Sequence, residues 1–81
     1  MNILVSLGVL TLKPTTNTDV FKIKIIEAKT TQTQLALEFE VSKQTINAWV
    51  TGRVAPPLNT ALKIAKRLNC SLDELWEYKE G

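Results

Sequence analysis

Histidine is absent from this 81-residue chain and cysteine occurs once. These two facts exclude an internal disulfide, a zinc site built from cysteine and histidine, and histidine-dependent acid–base chemistry. The three glycines, Gly8, Gly52 and Gly81, are too dispersed for a phosphate-cradling loop. No carboxylate pair suggests a catalytic cleft, and no nucleophile has a base at a suggestive spacing. An enzyme is therefore not expected, nor is a metal or any other cofactor. A membrane-spanning helix needs roughly 20 apolar residues, and the longest apolar run, residues 3–12, falls well short. That run also lacks the basic leader and small-residue cleavage pattern of a secretory signal, so no membrane partner is expected. The lone thiol, Cys70 between Leu68 and Leu72, reads as a small buried apolar residue of a cytoplasmic protein.

Acids are missing from one long stretch as well. Residues 41–69 hold Lys43, Arg53, Lys63, Lys66 and Arg67 without a single Asp or Glu. From Cys70 onward, Asp73, Glu74, Glu77 and Glu80 face only Lys79. A net charge of +2 thus hides a basic face and an acidic end. Lys63, Lys66 and Arg67 read equally well as solvating the outside of a helix. Lys43 and Arg53 bracket the stretch around which the chain is organised.

That stretch, residues 31–53, carries two short helical signals. Thr31 is an N-cap with Gln34 completing a capping-box pattern, and a helix over 32–39 puts Leu35, Ala36 and Phe39 on one face. Ser42 is a second N-cap, and Ile46, Trp49 and Val50 form the inward stripe of the following helix. Gly52 is placed to close that helix in the left-handed region. Its outward stripe holds Gln44, Asn47, Ala48 and Thr51, with Lys43 in the first turn. Amides and a lysine on an exposed helix are the side chains that fit base edges in a major groove.

In Gln32, Leu35-Ala36, Val41-Ser42, Thr45-Ile46, Trp49 and Gly52 the chain resembles the phage-repressor and Cro-like (XRE-type) helix-turn-helix family. The likeness continues through Pro56, Leu58, residues 62–65, Leu68 and residues 71–75, so it covers roughly residues 20–78. It implies an all-α, five-helix lambda-repressor-like domain over residues 18–81; the N-terminal arm, residues 1–17, lies outside the likeness. It also implies a sequence-specific transcriptional regulator of double-stranded DNA, acting as a homodimeric repressor on a near-palindromic operator. Some members are antitoxins, so a toxin is an alternative partner and a protein-interaction module the alternative role. By the same likeness Lys43, Gln44 and Ala48 fall where base edges are touched, and Gln32 where the backbone is fixed. Asn47 and Arg53 fall near phosphates. The N–H groups freed at Thr31 and Ser42 offer two more phosphate contacts. Glu40 stands where the family has a glycine; a positive φ there would cost about 1 kcal/mol relative to Gly.

Flanking segments complete the expectation. Asn17 or Thr18 caps a first helix reaching about Lys29, with Phe21, Ile25 and Ala28 inward and Ile23 outward, as Leu37 is in the next helix. Ala55-Pro56-Pro57 forces an extended approach to a helix whose stripe is Leu58, Ala61, Leu62, Ala65 and Leu68. Ser71 and Glu74 open a short last helix through Leu72, Leu75 and Trp76. The expected core is Phe21, Ile25, Leu35, Phe39, Val41, Ile46, Trp49, Leu62, Ala65 and Leu68. Residues 3–12 favour a strand that Pro14 stops, followed by a linker. A lone strand must pair with a copy of itself, lie against the helices or stay disordered. An arm pairing with its symmetry mate across a dimer is the preferred reading, with a disordered leader the alternative. The apolar residues of the last helix are a second candidate for that interface.

Overall fold

In the computed structural model, which describes residues 12–80, every turn between helices is closed by one residue of positive φ. The order is β1 (Leu12–Thr16), α1 (Thr18–Glu27), α2 (Gln32–Phe39), α3 (Lys43–Thr51), α4 (Leu58–Arg67), α5 (Leu72–Leu75) and β2 (Trp76–Glu80). Lys29 follows α1 at φ 58°, Glu40 follows α2 at 57°, Gly52 follows α3 at 84° and Asn69 follows α4 at 59°. Only Gly52 adopts this region without a Cβ penalty. The strain expected at Glu40 is thus present, and the α2–α3 turn carries it.

Helix starts follow the polar residues that can accept their free N–H groups. Thr31 Oγ1 accepts from Gln34 N at 3.1 Å, and Ser42 Oγ accepts from Thr45 N at 3.0 Å. Ser71 N donates to the Glu74 carboxylate at 2.8 Å. The Gln34 side chain does not close the box at Thr31; its amide donates to Glu38 at 3.2 Å. Asn17 does not cap α1 with its side chain either.

The five helices surround one core: Phe21, Ile25, Leu35, Ala36, Ile46, Trp49, Val50, Ala61, Ile64, Ala65, Leu68, Leu75 and Trp76. Phe39 and Val41 pack against it partly buried. Leu62 was expected inside but is 51% exposed, and Leu58 is exposed too. In α4 the inward positions go to Ala61, Ile64, Ala65 and Leu68, so the helix is rolled away from the expected stripe. Ile23 and Leu37 face outward, as expected.

The ends of the domain differ most from expectation. The last helix stops at Leu75, and Trp76 is extended at φ −135°, ψ 136°. From there β2 pairs antiparallel with β1, in a register running from Leu12↔Glu80 to Thr16↔Trp76. Aromatic residues suit a pleated, half-buried surface better than a helix end. Extension also lets Trp76 bury completely and meet Phe21 edge-on, ring centroids 5.3 Å apart at 85°. The first part of the expected linker, residues 14–16, thus belongs to β1, with Pro14 opposite Tyr78. A two-stranded ribbon consists of edges, where proline is tolerated. The expected self-pairing strand, residues 3–12, lies outside the described residues except for Leu12, which pairs within its own chain. Leu75 and Trp76 are fully buried, so they belong to the core and not to a dimer face.

Candidate nucleic-acid interface

The surface built by α2 and α3 follows from their caps. Ser42 fixes where α3 begins, so the polar residues recurring after it share one side. Lys43, Gln44, Asn47 and Thr51 are exposed there, while Ile46, Trp49 and Val50 are buried opposite. Ala48 departs from the expected outward stripe, being only 9% exposed. The chain leaving α3 turns back at that point, with Arg53 N and Val54 N both donating to the Ala48 carbonyl, at 3.0 and 3.3 Å. Its methyl group has little surface left to meet a base.

Two residues assigned separately are joined. Asn47 Nδ2 donates to Gln32 Oε1 at 3.2 Å, linking the first turn of α2 to the middle of α3. The sequence carries no local sign of this bond, since its partners are 15 positions apart. It lets one polar row run from the start of α2 across the exposed side of α3. Thr51 is exposed, but its hydroxyl donates to the Asn47 carbonyl at 2.8 Å. Ser42 is exposed, and its Oγ is engaged by the Thr45 N–H and hydroxyl.

Cations divide into engaged and free. Arg67 makes a two-point contact with Glu38, 2.7 Å from Nε and 3.3 Å from Nη2, tying α4 to α2. That guanidinium, with the Gln34 amide second, holds the Glu38 carboxyl below its ordinary range. Lys24 lies 3.4 Å from both Glu27 and Glu74, and Glu74 first of all raises its pKa. Lys43 and Arg53 have no ion-pair partner among the described residues. Both are exposed, one at each end of α3. The structure therefore brings Gln32, Ser42, Lys43, Gln44, Asn47, Thr51 and Arg53 to the outside of α2–α3 and its exits, and withdraws Ala48. Cys70, expected to be buried, is half-buried, and that burial raises its thiol pKa.

A helix-turn-helix family model matches residues 21–75, from Phe21 in α1 to the end of α5. The chain belongs to this helix-turn-helix family. Among solved structures it is similar to a Bacteroides fragilis protein described as a candidate DNA-binding protein. The two share 25% identity at a TM-score of 0.66, over 79% of this chain and 98% of that one. No curated protein matches the chain. Among the described residues no helix is long and apolar enough to cross a membrane.

Proposed function

We propose that the chain is a sequence-specific transcriptional regulator of double-stranded DNA, a cytoplasmic dimeric repressor reading a near-palindromic operator through the major groove. The observation that carries this reading is the exposed side of α3, acid-free and amide-bearing, held to the start of α2 by the Gln32–Asn47 bond. Lys43 and Gln44 in its first turn reach base edges. Gln32, Ser42, Asn47 and Arg53 set the protein on phosphates, and Thr51 stabilises the last turn facing the groove. Membership of the helix-turn-helix family and the likeness to the Bacteroides protein support the same reading. Dimerisation would place two copies of α3 about 34 Å apart on one DNA face. With Leu75 and Trp76 buried, one exposed apolar surface that could serve it among the described residues is Leu62 beside Leu72.

Selection of bound duplexes from random DNA by the purified chain is the test. It should enrich two related half-sites with centres about 10 bp apart. No enrichment at low salt would favour a protein-interaction module, such as an antitoxin holding a toxin. Ile26 and Leu37, 73% and 70% exposed, are what that second reading would use. On the enriched duplex, Arg53→Ala should flatten the slope of log K against log salt by about 0.9. An unchanged slope would remove Arg53 from the phosphate contacts.

A further inference from the structure

The last four carbonyls of an α-helix have no partner within it, and a buried one needs a donor from elsewhere. At the end of α3, Ala48 is served by Arg53 N and Val54 N, and Trp49 by Gly52 N at 3.3 Å. Val50 is fully buried. Its carbonyl accepts from Thr18 Oγ1 at 2.8 Å, a hydroxyl 32 positions away in the first turn of α1. The neighbouring residues act at the same joint. Asn17 N donates to the Leu75 carbonyl at 2.8 Å and Asn17 Nδ2 to the Glu74 carbonyl at 3.1 Å, closing α5 from outside. Thr16 stands against Gly52, where an added Cβ would lie 3.3 Å from the Thr16 Cβ. At the junction of the ribbon and α1, Asn17 and Thr18 therefore close the C-terminal ends of α5 and α3, with Thr16 packed against the turn after α3.

We propose that Thr18 is a positioning residue for DNA reading: its hydroxyl caps α3 from another helix and fixes the angle at which α3 presents Lys43 and Gln44. This rests on the reading of α3 as the DNA-contacting helix. Amide pairing to a base is directional, whereas attraction to a phosphate tolerates displacement. A loosened α3 should thus lose discrimination before it loses general affinity. The joint also explains how a ribbon remote from the first turn of α3 is connected to it.

The test compares Thr18→Val, which keeps the shape and removes the donor, with Thr18→Ser, which keeps the donor. Amide exchange is measured in the free protein, and affinity on the enriched duplex and on a scrambled one. Thr18→Val should speed exchange at residues 52–54 about tenfold, the scale of one lost buried hydrogen bond, and leave the α2 amides unchanged. It should weaken binding to the enriched duplex about tenfold and to the scrambled one less than twofold. Thr18→Ser should restore wild-type values in both measurements. Equal acceleration throughout the domain, or equal loss on both duplexes, would make Thr18 a general stabiliser and overturn the proposal. Wild-type exchange at residues 52–54 in Thr18→Val would overturn the tether itself. If wild type discriminates no duplex, the DNA reading fails, and the exchange arm shows separately whether the tether exists.

Discussion

The starts of α2 and α3 are set by residues three apart in sequence, whereas the ribbon joins residues from opposite ends of the described chain. Thr31 at the start of α2 and Ser42 at the start of α3 each serve an amide three positions on, and Glu40 bends the chain between the two helices by its own φ. In the ribbon, Leu12 meets Glu80 and Thr16 meets Trp76, pairings that no local preference announces. The caps that begin α2 and α3 are local in origin, whereas the Gln32–Asn47 bond between these helices and the ribbon behind them are not. A helix-turn-helix can thus be specified by a short stretch while its orientation depends on how the rest of the chain closes.

This contrast breaks most severely at Trp76, the residue where α5 becomes β2. Fully buried against Phe21, it fixes the ribbon to the core. Trp76→Ala should cost about 3–5 kcal/mol, most of what so small a domain has to lose, and should abolish cooperative urea unfolding. A loss below about 1 kcal/mol would make the ribbon an appendage with no part in the frame.

Much of the frame was nonetheless legible before any coordinates. The caps at Thr31, Ser42 and Ser71 and the closing Gly52 mark helix ends because free N–H groups and left-handed residues have few chemical solutions. Trp49 as core and Lys43, Gln44 and Asn47 as surface follow from helical period alone. Three things were hidden. Leu58 and Leu62 look inward by type, but the roll of α4 is settled by Ala61 and Ile64 fitting between neighbouring helices. Ala48 follows the outward spacing, yet it is 9% exposed where the returning chain bonds its carbonyl through Arg53 N and Val54 N. Residues 14–16, beginning with a proline, resemble a linker until β2 lies beside them. Each miss is a tertiary contact prevailing over a local pattern.

Smaller effects sharpen the comparison from the turn side. Glu40→Gly removes the Cβ from a left-handed residue and should stabilise the domain by about 1 kcal/mol, read as a higher urea midpoint at unchanged slope. No gain would show that contacts around the turn already offset the strain. The Glu38–Arg67 bridge is smaller again, because both groups are partly solvated. Its pH sign is fixed by the lowered folded-state pKa of Glu38. The stability it adds is present above the ordinary carboxylate pKa of 4.5 and is lost as pH falls through and below that value. Glu38→Gln should therefore be less stable than wild type near neutral pH, with the gap closing on acidification. Some acid sensitivity should persist in the variant, because Glu74 is also lowered, chiefly by the Ser71 backbone N–H. A gap that widens in acid would refute the assignment.

The central claim is that the exposed side of α3 reads base sequence, and Gln44, exposed in its first turn, is where that claim is most open to measurement. The decisive quantity is the affinity of Gln44→Ala relative to wild type, taken at one salt concentration on the enriched duplex and on a scrambled duplex of equal length. A directional amide–base contact predicts a loss of roughly 1–3 kcal/mol on the enriched duplex and almost none on the scrambled one. Equal losses on both, or no loss on either, would contradict it.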